Sequence, residues 1–130
     1  MAPAPAVWQV ADAFELPDWL GDTFTWQAEE TLAAACVPGR VTGTAGQVLA
    51  LDLLCGDVAF PAPVMGQELR SQAHQAWHYA QVLILLGDTD RHTLALPASE
   101  LGAELACEAL RRFAKAVGVS ARDVRVTLRL

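Results

Sequence analysis

The chain has 130 residues, of which 53% are hydrophobic and 18% are charged, and its formal net charge is −6. This length suits one domain and allows a core that needs no disulfide or metal to fold. An acidic chain with one lysine and eight arginines lacks the basic surface that nucleic-acid binding needs. Three cysteines, Cys36, Cys55 and Cys107, are too few and too widely spaced for a disulfide framework, so we expect reduced, mostly buried thiols.

The N-terminal part of the sequence predicts neither targeting nor a stable fold of its own. No apolar run approaches the ~18 residues of a membrane span, and the first residues lack the basic region of a secretory signal. We therefore expect a cytoplasmic protein that does not enter a membrane. Residues 1–22 mix prolines, acids and aromatic residues, which predicts a loosely structured segment before a single domain at 23–130.

Three strands are predicted next. The stretch "TFTWQA" at 23–28 alternates apolar and polar residues, as a half-buried strand does. Two further strands flank the turn "GTAG", with Pro38-Gly39 interrupting the first of them. A tight turn there places Cys36 opposite residue 53, close to Cys55 but not directly paired with it. Asp52 lies in the apolar second strand, so we expect it to face solvent or to pair with an arginine on an adjacent strand.

The rest of the chain predicts two helices and three strands. A helix is expected at about 66–80, a hairpin at 81–97, and a second helix at about 99–117 with Ser99 as its cap. The chain ends in the strand "DVRVTLRL". The order β-β-β-α-β-β-α-β predicts an α+β fold: an antiparallel sheet with two helices on one face, ferredoxin-like in its second part. The order of its first seven elements, its size and its acidity resemble those of the small acidic dimeric chaperones of secretion systems.

The most suggestive chemical feature is a histidine pair in "LRSQAHQAWHYAQ". His74 and His78 are four residues apart, a spacing that lets one helix face present two imidazoles to a metal. On a helical wheel both fall on the polar side, and no third ligand is close in sequence. We therefore predict surface histidines, with no metal and no cofactor. The sequence contains no nucleophile, phosphate-loop or dinucleotide motif, so it predicts no catalytic residue.

Aromatic and basic residues at the two ends predict an interface. Trp8 and Trp19 lie in the acidic N-terminal segment, whereas Arg125 and Arg129 lie in the basic final strand. Tryptophan and arginine are the residues that most often anchor interfaces. We expect these four to contact a partner, with the acidic segment packing on the basic end within one chain or across a dimer.

The sequence therefore favours a non-enzymatic protein-interaction module, adaptor-like or chaperone-like, that works as a homodimer or with another protein. The alternative is a small-ligand-binding protein or minor enzyme. Its pocket would lie between the sheet and the first helix, near Met65, Trp77 and His92.

Overall fold

A computed structural model describes residues 8–31, 35–56, 66–87, 91–98, 100–119 and 122–129. Within these ranges the chain forms one eight-stranded sheet and two α-helices, which confirms the α+β class. The strands are β1 (Gln9–Val10), β2 (Thr23–Ala28), β3 (Cys36–Val37), β4 (Gly39–Thr42), β5 (Val48–Cys55), β6 (Leu83–Leu86), β7 (His92–Leu96) and β8 (Asp123–Thr127). The helices are α1 (Gln67–His78) and α2 (Ala103–Ala116).

The sheet is mixed, with the strand order β1-β6-β7-β5-β4-β2-β8 and β3 beside β5. Strands β5 and β7 run parallel, as do β2 and β8, and the other pairs are antiparallel. The predicted antiparallel, ferredoxin-like sheet is therefore wrong in strand order and direction. The physical reason is that β3 and β4 occupy the place beside β5, so β8 joins the sheet beside β2. Helix α2 is the crossover that returns the chain from β7 in the same direction, so β8 runs parallel to β7, β5 and β2.

The two helices cover opposite faces of the sheet, not one face as predicted. Leu53 of β5 packs in a core cluster with Phe113 of α2, whereas Leu54 packs in a second cluster with Ala73 of α1. Successive side chains of a strand point to opposite faces, so the two clusters lie on opposite sides of the sheet. Strands β5, β6 and β7 are thus covered on both faces, which explains their nearly continuous apolar runs.

Strand β2 is covered on one face only. Its alternate residues Phe24, Trp26 and Ala28 are buried in the α2-side core, and the residues between them are half-exposed. This one-sided burial produces the alternating sequence, and the predicted bounds at 23–28 are confirmed.

The predicted helices are confirmed with shorter bounds. Gly102, not Ser99, is the N-cap of α2, and Ser99 lies outside the described residues. Gly118, with φ of +85°, follows the end of α2, where a left-handed conformation suits glycine.

Residues 8–22 contribute to both the sheet and the core. The Ala11 N–H donates to the Ile84 carbonyl at 2.8 Å, which extends the pairing of β1 with β6. A short 3₁₀ turn at Ala13–Glu15 begins at Asp12, whose carboxylate accepts from the Phe14 N–H at 3.0 Å. Leu16 and Leu20 then join the buried core. Residues 1–7 of the predicted loose segment lie outside the described ranges.

The pairing of β3 and β4 with β5 is interrupted at Pro38-Gly39, as predicted. Cys36 lies opposite Leu54 and Arg40 opposite Ala50, so one register continues across the interruption. Cys36 is thus one residue away from its predicted position opposite residue 53. The Trp26 ring lies directly over Gly39, where a side chain would overlap it. Its Nε1–H donates to the Leu51 carbonyl at 2.7 Å, so β2 is tied to β5 across β4.

Replacing Gly39 with alanine is expected to destabilise the fold by about 1–3 kcal/mol, because the new methyl group would displace a buried indole. Urea unfolding measures the effect. The matched control is Gly66→Ala, since a methyl group at Gly66 would contact no atom of the described residues within 4 Å. Equal stabilities of the two variants would contradict the packing of Trp26 over Gly39.

Candidate functional site

Two charged side chains bind the backbone where the sheet pairing is interrupted. The Gly39 N–H donates to Asp52 Oδ1 at 3.2 Å, and the Gly39 carbonyl accepts from Arg91 Nη2 at 3.0 Å. Arg91 Nη2 also donates to Asp52 Oδ1 at 2.8 Å, and its Nε lies 3.1 and 3.2 Å from the two carboxylate oxygens. The pairing of Asp52 with an arginine beside the adjacent strand is therefore confirmed.

This cluster is nearly enclosed by the protein. The Asp52 side chain is 12% exposed and that of Arg91 is 31% exposed, with Glu29 at the rim, 3.3 Å from Arg91 Nη2. Hydrogen bonding to Asp52 raises the pKa of Arg91 above its ordinary value, so the guanidinium stays charged. The cluster holds two carboxylates and one cation, and its contacts hold the backbone of Gly39 in place. These contacts fit a structural role.

Cys36 lies beside this cluster, yet burial keeps it unreactive. Desolvation, reinforced by the Asp52 charge, raises the pKa of the Cys36 thiol to about 11. Desolvation likewise raises the pKa of Cys55 to about 11. Cys36 packs on the α1 side of the sheet, whereas Cys55 follows Leu54 and points to the other side. Their side chains therefore diverge, and a disulfide between them would require rebuilding the strand.

The histidines do not gather into a metal site. His74 and His78 are exposed on α1, as predicted, and the His78 ring meets the Tyr79 ring edge-on at 5.1 Å between centroids. Among the described residues, no group of three or more His, Cys, Asp or Glu side chains could hold a metal ion. His92 begins β7, where partial burial lowers its pKa.

The two tryptophans of the predicted interface pack against their own chain. Trp8 contacts the α1-side cluster and lies over Gly87. Trp19 is half-buried and lies over Gly43. Both therefore help to hold residues 8–22 on the sheet. Their role in binding a partner stays a prediction.

The two arginines of the predicted interface lie at the other edge of the sheet. Arg125 is exposed on β8 and bonds the neighbouring Asp123, Nε to Oδ2, at 3.2 Å. Arg129 donates to the Glu29 carbonyl at 3.1 Å. None of the four ion pairs of the described residues joins residues 8–30 to residues 111–129. The two ends of the chain meet through backbone bonds, such as that from the Arg122 N–H to the Asp22 carbonyl.

Of the residues of the predicted ligand pocket, the structure describes Trp77 and His92, which lie at opposite ends of the β6–β7 hairpin. Met65 lies outside the described residues. Trp77 stacks with the Arg112 guanidinium, 3.6 Å from the ring centroid, beside the residues that enter β6. His92 pairs with Leu86, at the other end of the β6–β7 hairpin. A pocket shared by these residues stays a prediction.

A cleft that sequence reasoning missed lies between the N-terminal segment, the end of α1 and the end of α2. Its volume is about 370 Å³, and its lining includes Val10, Tyr79, Ile84 and Lys115. A second cleft of about 390 Å³, with Phe14 in its wall, shares Ala13, Lys115 and Ala116 with it. In the sequence, this cleft is indicated by three apolar residues that belong to none of the predicted apolar helix or strand faces: Val10, Phe14 and Tyr79.

The charged residues in the described lining of the double cleft are Arg112, Lys115 and Asp18. Asp18 lies in the second cleft only, so the first cleft is lined by cations alone among its charged residues, although the chain as a whole is acidic. Arg112 is held in place by Glu108 at 2.9 Å and by the Trp77 and Gln81 carbonyls. Lys115 is exposed and takes part in none of the ion pairs of the described residues. It is thus positioned to receive an anionic group.

Comparison with protein-family models, with curated proteins and with solved structures finds no match to this chain. Across the described ranges, neither helix has the length and apolarity needed to cross a membrane.

Replacing Arg91 with alanine should lower stability by roughly 2–3 kcal/mol, because Asp52 would keep a buried charge without its cation. This range lies below that of a fully buried pair because Arg91 is 31% exposed. The double variant Asp52→Ala/Arg91→Ala should cost less than the sum of the single variants. Urea unfolding of Arg40→Ala, an exposed arginine on β4, is the control, and additive losses would contradict the coupling.

Alkylation of Cys36 and Cys55 by iodoacetamide should be slow at pH 8, because a pKa of about 11 leaves roughly one thiol in a thousand ionised. Their rates, followed by peptide mass spectrometry, should keep rising up to about pH 10. A plateau near pH 9, the ordinary pKa of a thiol, would show that the two thiols are not desolvated.

Proposed function

We propose that the protein is a non-enzymatic protein-interaction module that works as a homodimer and binds an extended segment of a protein partner in the double cleft. The segment would carry apolar side chains and at least one carboxylate. The observation that supports this most directly is the grouping of exposed apolar side chains around the double cleft, where the charged residues in the described lining of the cleft beside β1 are Arg112 and Lys115.

The apolar grouping is unusual for a surface. Val10 is 54% exposed, Phe14 is 95% exposed and Tyr79 is 64% exposed. These are three of the four large hydrophobic residues exposed in the described chain, and all three border the double cleft. Contiguous apolar surface of this kind typically marks an interaction site.

The backbone beside the cleft can also bind an extended segment. The Ala11 N–H donates to the Ile84 carbonyl of β6. In an antiparallel pair the next residue along the strand faces the other way, so Val10 directs its N–H and C=O away from β6. Within the described chain β1 pairs with β6 alone, so it is an edge strand. An extended peptide can add a strand to such an edge and place alternate side chains in the adjacent cleft.

A small apolar acid is a second candidate occupant. The cleft volume of about 370 Å³ falls in the ~300–1,000 Å³ range of small-molecule sites. Lys115 would then bind the carboxylate, and Val10 and Ile84 would contact the apolar part.

Selection from a display library of short random peptides should enrich sequences that combine apolar residues with aspartate or glutamate. Their affinity should fall at least tenfold for Lys115→Glu and for Tyr79→Ser, since these changes remove the cation and an apolar wall. Isothermal titration calorimetry of the enriched peptides measures the loss. Tyr79 and Lys115 are exposed, so both variants should fold.

The matched control is Val48→Ser. Val48 is the fourth exposed large hydrophobic residue and is not in the described lining of either cleft, so its variant should bind the peptides normally. Failure to enrich any peptide, or equal binding by all three variants, would contradict the proposal. Enrichment of apolar peptides without acidic residues would contradict the role given to Lys115.

A further inference from the structure

Strand β8 is an edge strand with backbone groups available for pairing. Within the described chain it pairs with β2 alone, in parallel, with Thr23 opposite Asp123. The Asp123 N–H donates to the Asp22 carbonyl at 3.1 Å. In a parallel pair, alternate residues direct their backbone groups to the neighbouring strand. Residues 123, 125 and 127 therefore serve β2, and residues 124, 126 and 128 face the open edge.

One further contact supports this assignment. The Cys107 S–H of α2 donates a weak hydrogen bond to the Val124 carbonyl, with 3.8 Å between sulfur and oxygen. The carbonyl therefore points away from β2, and its second lone pair can accept from an added strand.

We propose that two copies of the chain pair antiparallel through β8, with Val126 on the twofold axis. The proposal deepens the homodimer of the proposed function and rests on it. In this register the edge-facing backbone groups of Val126 meet those of Val126 of the partner subunit. Those of Val124 meet those of Leu128 of the partner subunit.

The side chains of this register are self-complementary. Asp123 lies opposite Arg129 of the partner subunit, and Arg125 lies opposite Thr127 of the partner subunit. Val126 and Leu128 are half-buried in one chain, and both would meet apolar side chains of the second copy. Opposite-charge and apolar cross-strand pairs stabilise an antiparallel ladder.

Three nearby registers are less favourable. With Arg125 on the axis, two arginines would lie directly opposite each other, which destabilises a strand pair. With Thr127 on the axis, Arg125 would lie opposite Arg129 of the partner subunit, again two like charges. With Val124 on the axis, Asp123 would lie opposite Arg125 of the partner subunit, but Val126 would face the charged Arg122 of the partner subunit. Of these four registers, the one centred on Val126 matches both charge and apolarity along 123–129.

Charge reversal tests this register in the full chain. Analytical ultracentrifugation over a range of concentrations should show a wild-type dimer. D123R would oppose two arginines and R129D would oppose two aspartates, so each should raise the dimer dissociation constant at least tenfold. The double variant D123R/R129D restores opposite charges without changing the net charge, so it should recover dimerisation to within about threefold.

The control R111E reverses an exposed charge on α2 by the same amount as R129D and should leave the dimer unchanged. A wild-type monomer up to 100 µM, or a dimer that tolerates both single variants, would overturn the proposal. A dimer that both variants weaken and the double variant fails to restore would overturn the register. Peptide binding at the double cleft should survive in every β8 variant, so failure of the dimer is distinguishable from failure of the cleft.

Discussion

The fold depends on how three side chains replace sheet hydrogen bonds at Pro38-Gly39. The Pro38 carbonyl accepts from the Glu29 N–H at 2.9 Å, so Pro38 faces β2, and the backbone groups left unpaired between β4 and β5 are those of Gly39 and Leu51. Trp26 donates to the Leu51 carbonyl, while Asp52 and Arg91 bind the N–H and carbonyl of Gly39. These contacts come from β2, from β5 and from the residue before β7. Side chains from these three parts of the chain therefore meet at the interruption. They connect the outer strands β4, β2 and β8 to the central strands β5, β6 and β7, which are covered by helices on both faces.

The two edges of this sheet differ in chemistry, and the proposals assign them different partners. The β1 edge borders a cleft with apolar walls and cationic residues, which suits a foreign segment that is apolar and acidic. The β8 edge carries Asp123, Arg125 and Arg129, and in the proposed register Asp123 and Arg129 would face each other across two copies. The sites are separated by the width of the sheet, so a dimer joined at β8 would leave both clefts open. A module of this kind would present two identical binding sites and gain avidity for a partner that carries two segments.

The sequence predicts the elements better than their arrangement. The alternation at 23–28 and the continuous run at 83–86 directly reflect burial on one face or on both. Periodicity does not encode strand direction, however, and so the parallel pairs of β5 with β7 and β2 with β8 were not foreseen. The pairing of Asp52 with an arginine was one of two expectations, beside exposure to solvent, that followed from a lone carboxylate in an apolar strand, and the structure shows the pairing. The double cleft was not foreseen, because it joins residues from the N-terminal segment, the end of α1 and the end of α2 that no local pattern relates.

The most direct test of this account is native-state hydrogen exchange at the interruption, read from the Trp26 indole N–H and the Gly39 amide. If side chains close the interruption, both protons should exchange only through global unfolding, with the same free energy as the core amides of β5. Exchange of either proton at the rate of an exposed loop amide would show that the interruption is open to solvent. The side-chain contacts that connect the central strands to β4, β2 and β8 would then not form as described.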